Sequence, residues 1–198
     1  MHPLPFAGDR AYAVLFWSAC ALWMLPEIIA ARVRRSGDSA LAQDQGSLNL
    51  IATLWIVGIG LDIWLSFWLP EAAIIWKRGL FCFAGLGLMV GGVSFRWYSA
   101  SLLGKYFTFD VATHSGQTVI EKGPYRYIRH PSYTGGLLSS VGFGLAMGNW
   151  AGLLAGLSCL GAAYAYRIAV EERALVLALG EPYRQYLKRT WRLVPFLF

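Results

Sequence analysis

The sequence predicts an all-α integral membrane protein with five transmembrane helices, whose site is formed by a cytoplasmic loop and a C-terminal amphipathic helix. Three observations predict this class. Hydrophobic residues make up 57% of the 198 residues and charged residues only 14%, whereas soluble domains carry about 45–50% and roughly 25%. Apolar runs of nearly the length that crosses a bilayer recur five times. Basic residues are concentrated between alternate runs, as they are in membrane proteins of fixed orientation.

The five predicted spans make one membrane domain over residues 1–198. A transmembrane helix needs about 20 predominantly apolar residues. The runs that approach this length cover residues 11–31, 48–69, 79–95, 133–147 and 150–170. The fourth is short and rich in glycine, and only Gly148 and Asn149 separate it from the fifth. These two spans are therefore expected to form a tight antiparallel hairpin, with Ser132 and Arg167 near its other end.

The basic residues predict the orientation of the chain in the membrane. With the C-terminus in the cytoplasm and the N-terminus outside, fourteen of the 17 basic residues face inwards, Arg34 and Arg35 among them, and only Arg10, Lys77 and Arg78 lie outside. This asymmetry is the positive-inside pattern. It accounts for most of the net charge of +6 without a nucleic-acid partner.

Few polar residues interrupt the spans. Glu27 and Asp62 are intramembrane acids, which are candidates for function by default, although snorkelling or capping explains Glu27 equally well. The three cysteines all lie in apolar runs, so neither a disulfide framework nor a metal site is predicted. Four of the glycines in the third span allow close helix packing, within or between subunits; they are Gly85, Gly87, Gly91 and Gly92.

The loop before the fourth span carries the most distinctive residues. It runs GQTVIEKGPYRYIRHPSYTGG over Gly116–Gly136, and residues 117–120 alternate as in a short extended segment. Pro131 suits the first position of a helix, because its missing N–H is not needed there. The free backbone N–H groups of residues 132–134 then make a candidate anion site. Capping of the helix by Ser132 or by water is the alternative.

The C-terminal tail opens with Arg167 and Glu171, which are four residues apart and share one helix face. Taken alone, the pair is also explained as an interfacial ion pair or a snorkelling arginine. Its expected position across the hairpin from His130 favours a site. Gly180 is expected to end this helix, and Pro182 to start another whose apolar face predicts a helix lying on the membrane surface.

At this point three motifs occur in order: GPYRYIRHPSY at Gly123–Tyr133, RxxxEE at Arg167–Glu172, and GExYxxY at Gly180–Tyr186. Together they resemble the isoprenylcysteine carboxyl methyltransferase family and, more distantly, the phospholipid N-methyltransferases. The resemblance covers about half of the chain, from Tyr98 onwards. One departure is Val170, where many members of the family carry an acid.

The resemblance implies S-adenosylmethionine as the methyl donor, bound on the cytoplasmic side by the loop and the tail. It implies that Arg167 binds the acceptor carboxylate as the catalytic residue, and it implies no metal. The residues implied in binding the donor are Gln117, Thr118, Val119, Ile120, Tyr125, His130, Pro131, Ser132, Tyr133 and Glu171. The implied partners are a lipophilic small molecule or a prenylated substrate and membrane lipids. The oligomeric state is left open.

The leading hypothesis is carboxyl O-methylation of an isoprenylated cysteine or a similar lipid acid, which needs no general base because a carboxylate is already ionised at neutral pH. N-methylation of a lipid amine is the main alternative, and it needs a base such as Glu171, Glu172 or His130. An arginine near the acceptor favours an anion over an amine. A membrane reductase that uses NADPH and a non-enzymatic lipid-binding protein are the remaining alternatives.

Overall fold

The computed structural model describes residues 9–33, 41–42, 44, 46–109, 111–113 and 116–195. Its described part is dominated by helices and contains one short antiparallel strand pair, β1 (Leu41–Ala42) and β2 (Ala112–Thr113), in which Leu41 lies opposite Thr113. The helices are α1 Arg10–Val33, α2 Ser47–Trp68, α3 Arg78–Leu103, α4 Pro131–Met147, α5 Trp150–Leu179 and α6 Glu181–Arg189. Arg34 and Arg35 lie outside the described residues.

Four of these helices, α1, α2, α3 and α5, are long and apolar enough to cross a membrane. The predicted fourth span corresponds to α4, which at 17 residues is shorter than the length usually needed. Helix α3 extends beyond its predicted span to Leu103, whereas α5 continues past residue 170 to Leu179 and ends at Gly180, as expected. Hydropathy falls at Arg96, but this arginine is buried and paired with Glu27 within the protein, so α3 continues through it.

Close contact between α3 and α4 is made possible by glycine. A Cβ atom at Gly92 would lie 2.5 Å from the Ser139 hydroxyl oxygen and 2.6 Å from the Gly135 carbonyl oxygen. A Cβ atom at Gly85 would meet the α4 backbone at 2.6 Å, whereas Gly87 and Gly91 have no such neighbour within 4 Å. Gly85 and Gly92 of α3 therefore serve packing within the subunit.

The α4–α5 hairpin has the predicted turn. Gly148 has a φ of 75°, in the left-handed region that favours glycine. The Asn149 side chain accepts a hydrogen bond from Gly152 N at 3.0 Å and so caps α5. Its amide nitrogen donates to the carbonyl oxygens of Leu65 and Leu69 at 3.3 and 2.9 Å. One side chain thereby ties the hairpin to the end of α2.

Helix α6 begins after Gly180, as predicted, but its apolar face is covered by the protein itself. Tyr183 and Tyr186 are buried, and the Tyr186 hydroxyl donates to the Tyr125 carbonyl at 2.6 Å. The sequence predicted that this face would lie on the membrane surface. The difference arises because the following chain pairs with the motif loop, where Arg129 N donates to Trp191 O at 2.7 Å, and this pairing draws α6 onto the loop.

Candidate functional site

A cavity of about 290 Å³ brings the predicted site residues together. It is lined by side chains from all six helices and by the loop between α3 and α4. The predicted residues that line it are Gln117, Thr118, Val119, Ile120, Tyr125, His130, Ser132, Tyr133, Arg167 and Glu171. Pro131 is fully buried at the start of α4 instead. The motif loop and α5, which are far apart in sequence, thus meet at one cavity.

Apart from Glu27, the side chains that α1 and α2 contribute to the cavity are apolar. Its lining includes Trp23 and Ile28 from α1 and Leu48, Ile51 and Trp55 from α2. A pocket that buries a ligand usually has mostly apolar walls with a few placed polar groups. This part of the cavity is suited to a hydrocarbon chain.

Arg167 connects the apolar part to the polar part. Its side chain is only 3% exposed, and its Nε donates to the Tyr133 hydroxyl at 3.2 Å. Its Nη1 donates to Asp44 Oδ1 at 2.6 Å and to Ser47 Oγ at 2.9 Å, and its Nη2 donates to the Phe109 carbonyl. A buried charge is tolerated when it is paired and hydrogen-bonded in this way. Arg167 is therefore a fixed cation in the wall of the cavity.

Asp44, which sequence reasoning missed, supplies the opposite charge. It caps α2 by accepting from Leu48 N at 3.0 Å and from the Ser47 hydroxyl at 2.9 Å, and Val111 N donates to it at 3.2 Å. Burial alone would raise the pKa of Asp44, but these hydrogen bonds and Arg167 lower it below its usual value. The available signal was an aspartate four residues before the second apolar run, since acids are favoured near a helix N-terminus.

The two acids of the RxxxEE motif have different surroundings. The Glu172 side chain, 11% exposed, pairs with Arg129 at 2.9 Å and with Arg192 at 3.2 Å. The Glu171 side chain is 28% exposed and lines the cavity, and its Oε2 accepts from the Tyr133 hydroxyl at 3.0 Å. Glu172 therefore has a structural role, because it connects α5 to Arg129 and Arg192, while Glu171 presents its carboxylate to the cavity.

His130 lies between these two acids. Its Nδ1 is 3.4 Å from Glu171 Oε2, and its Nε2 is 3.4 Å from Glu172 Oε1. Burial disfavours the charged form of the ring, but the contacts with the two carboxylates outweigh it and raise the pKa of His130. The ring stacks on Tyr133 at 5.6 Å between centroids. His130 thus links the two acids to the start of α4.

The structure does not support the anion site that was predicted at the start of α4. The backbone N–H groups of Tyr133 and Thr134 donate to the His130 carbonyl at 3.0 and 3.2 Å, so the first turn of the helix already satisfies them. The Ser132 hydroxyl accepts from Arg96 at 2.8 Å. The helix start therefore contributes side chains to the cavity, and two of its three predicted N–H donors are occupied.

Glu27, an intramembrane acid without a predicted partner, pairs with Arg96. Arg96 Nε lies 2.6 Å from Glu27 Oε1, and Nη2 lies 2.8 Å from Oε2. Both side chains line the cavity. This pair secures α1 against α3 beside Ser132.

Asp62, the other intramembrane acid, lies away from the cavity. It is buried in α2 against α5, where a Cβ atom at Gly152 would come within 2.5 Å of its Oδ1. Within the described part of the chain, no hydrogen-bond donor reaches that oxygen. Asp62 thus plays no part in the arrangement around Arg167.

The fold and the cavity define a class: an integral membrane protein whose helices enclose a cavity with an apolar part and a charged part. The family model described as Phospholipid methyltransferase matches residues 80–181, which is more than half of the chain. The chain belongs to the phospholipid methyltransferase family. The match runs from α3 to the first residue of α6 and includes the motif loop and the RxxxEE motif.

Curated relatives confirm the resemblance to the isoprenylcysteine methyltransferases. Protein-S-isoprenylcysteine O-methyltransferase of Schizosaccharomyces pombe is 29% identical over 116 residues, or 58% of this chain and 49% of that protein. The probable enzyme of that name from Oryza sativa subsp. indica is 26% identical over 95% of this chain and 98% of its own. Form B from Arabidopsis thaliana is 30% identical over 57% of this chain and 58% of its own. The chain thus spans about half the length of the fission yeast protein.

Proposed function

We propose that this protein transfers a methyl group from S-adenosylmethionine to the carboxylate of a lipophilic acceptor, an isoprenylated cysteine or a similar lipid acid. One observation carries the proposal. Arg167, a buried cation, lies in the wall of a single cavity that has both an apolar part and a charged part. The names of the curated relatives support the same reaction.

The chemistry of the charged part fits the donor. S-adenosylmethionine offers an ammonium group, ribose hydroxyls and an aromatic base, and when bound it supplies a methyl group on a positively charged sulfur. Glu171 accepts from the ammonium or the hydroxyls, since its carboxylate is the more exposed of the two acids. Tyr125 provides an aromatic face, and Tyr183 and Tyr186 in the same lining add two more. Burial raises the pKa of all three phenols, which keeps them neutral.

The loop and the helix start complete the proposed donor site. Gln117, Thr118, Val119 and Ile120 provide an extended backbone along the cavity, and His130 orients Glu171 from the other side. Ser132 and Tyr133 contribute through their contacts with Arg96 and Glu171. Pro131 acts by fixing the start of α4.

Arg167 orients the acceptor carboxylate. A guanidinium matches a carboxylate in a two-point contact, and the apolar lining from α1 and α2 binds the attached hydrocarbon. The acceptor oxygen is already an anion at neutral pH, so no base is needed. Positioning of the two reactants and exclusion of water supply the rate enhancement.

N-methylation of a lipid amine is the second candidate, favoured by the description of the matching family model. This reaction must remove a proton from the amine. His130 is less suited to this role, since its contacts with Glu171 and Glu172 favour the protonated ring and raise its pKa. Glu171 is then the candidate base. The positive charge of Arg167 nevertheless disfavours a second cation at the acceptor position.

We also propose that α4 crosses the membrane as a fifth span, so that the N-terminus lies outside and the C-terminus with the donor site is cytoplasmic. The distribution of basic residues supports this orientation. The hairpin supports the fifth crossing, because α4 runs antiparallel to α5 along its length and packs against α3. Donor would then enter from the cytoplasm and acceptor from the bilayer.

Calorimetry on the purified protein in detergent tests the donor. We expect heat of binding with S-adenosylmethionine and none with NADPH. Binding of NADPH alone would refute a methyltransferase and favour the reductase.

A radiolabelled methyl-transfer assay tests the acceptor. The protein is incubated with labelled donor and, separately, with a prenylcysteine, a fatty acid, an isoprenoid acid and an aminophospholipid. Label that is released by base marks a methyl ester, and label that resists base marks an N-methyl group. Base-stable label on the aminophospholipid alone would replace the first candidate by the second.

A further inference from the structure

Without a bound acceptor, Arg167 forms an ion pair with a carboxylate of its own chain. Asp44 lies 2.6 Å from its Nη1, and the remaining contacts of the guanidinium are with the Ser47 hydroxyl, the Phe109 carbonyl and the Tyr133 hydroxyl. A bidentate acceptor carboxylate needs two adjacent N–H groups of the guanidinium. At least one of the groups it requires is therefore in use by the protein.

We propose that Asp44 is a displaceable counter-ion, which holds Arg167 while the acceptor site is empty and gives way to the acceptor carboxylate. This inference rests on the proposed carboxyl methylation and adds to it a residue that determines acceptor specificity. Asp44 competes with the acceptor for the same cation, so only an acceptor that supplies an anion in its place binds well.

Electrostatic repulsion favours the exchange. Two carboxylates on one guanidinium repel each other, and the low dielectric of a buried site strengthens this repulsion. Asp44 is the partner able to move, because its side chain is 21% exposed while that of Arg167 is 3% exposed. Its other contacts, with the N–H groups of Leu48 and Val111 and the Ser47 hydroxyl, are of kinds that water replaces at a partly exposed position.

The same exchange acts on the product. Methylation converts the acceptor carboxylate to a neutral ester, with the methyl carbon bonded to the acceptor oxygen and the donor sulfur left as a neutral thioether. The ester no longer provides the charge that displaced Asp44. Asp44 then regains Arg167, which favours product release.

Substitution Asp44→Asn tests the competition by steady-state ester formation. The variant keeps an oxygen that caps α2 but removes the charge that competes for Arg167. We expect the KM for the acid acceptor to fall by about threefold or more, with the KM for S-adenosylmethionine unchanged. Asp9→Asn is the matched control, since Asp9 caps α1 through Ala11 N at 2.8 Å and is not in contact with Arg167. Its acceptor KM should equal that of the wild type.

Hydrogen exchange on the wild-type protein provides a second measurement that needs no variant. Val111 N donates to Asp44, so its amide should exchange faster when a prenylcysteine is added in the presence of S-adenosylhomocysteine. The Tyr12 amide, which donates to Asp9, is the internal control. The inference is overturned if ester forms while Asp44→Asn leaves the acceptor KM unchanged or raises it, or if saturating acceptor leaves Val111 exchange unchanged. Failure of the wild type to form any ester would instead overturn the proposed function, and the inference with it.

Discussion

Glu27 of α1 and Arg96 of α3 form a two-point ion pair, with oxygen–nitrogen distances of 2.6 and 2.8 Å. The side chains are 16% and 11% exposed, and Arg96 also donates to the Ser132 hydroxyl and carbonyl at 2.8 and 3.2 Å. A single side chain thus joins α1, α3 and the first turn of α4 beside the cavity. Removing one partner of such a pair leaves an uncompensated buried charge.

We therefore expect Glu27→Gln to lower the free energy of unfolding by about 3 kcal/mol, measured by thermal or denaturant unfolding in detergent. The double variant Glu27→Gln with Arg96→Gln should recover part of this loss, because no unpaired charge remains. A double variant that is less stable than the sum of the two single changes would contradict this interpretation of the pair.

Substitutions of the two adjacent acids of α5 are expected to have different effects, one on donor binding and the other on stability. Glu171→Gln should raise the Kd for S-adenosylmethionine about tenfold, since it removes the carboxylate that faces the cavity, and should change the unfolding midpoint little. Glu172→Gln should instead destabilise the protein by about 3 kcal/mol, because it leaves the buried charge of Arg129 without its carboxylate partner. Both variants are measured by calorimetry and by thermal unfolding, so that each serves as the control for the other. Equal effects of the two substitutions on donor binding would contradict the assigned roles.

The raised pKa of His130 predicts that the stability of the protein depends on pH. Its pKa is raised in the folded protein above an unfolded value of about 6.5. A raised pKa means that the folded state binds the proton more tightly, so the stabilisation is complete below about pH 6.5 and is lost as the pH rises through the raised pKa. The unfolding midpoint of the wild type should fall across this range. His130→Gln should flatten that slope, and an unchanged slope would remove His130 as its source.

Packing of α3 against α4 predicts opposite effects at two neighbouring glycines. Gly92→Ala should destabilise the protein by about 1–3 kcal/mol, since the new Cβ atom would lie 2.6 Å from the Gly135 carbonyl oxygen. Gly91→Ala meets nothing within 4 Å and gains helix propensity, so it should be neutral or slightly stabilising. The unfolding midpoints of the two variants test this prediction, and equal midpoints would exclude a close contact at Gly92.

Much of the architecture follows from local signals in the sequence. Apolar runs marked the helices, Pro131 and Gly180 marked helix ends, and the two-residue turn at Gly148 marked the hairpin. The end of α3 was predicted too early, because hydropathy counts Arg96 as polar regardless of its partner Glu27. Burial and pairing of this arginine are long-range effects that no window along the chain detects.

The sequence by itself determined the class of protein and the segments that form the site, since hydrophobicity, helix capping and the three motifs are encoded in neighbouring residues. Only the tertiary structure decided which charges meet. Asp44 and Arg167 are separated by 123 positions, and Glu27 and Arg96 by 69. Their pairing depends on how the helices pack around the cavity, because an ion pair requires proximity in space and leaves no periodic pattern in the sequence.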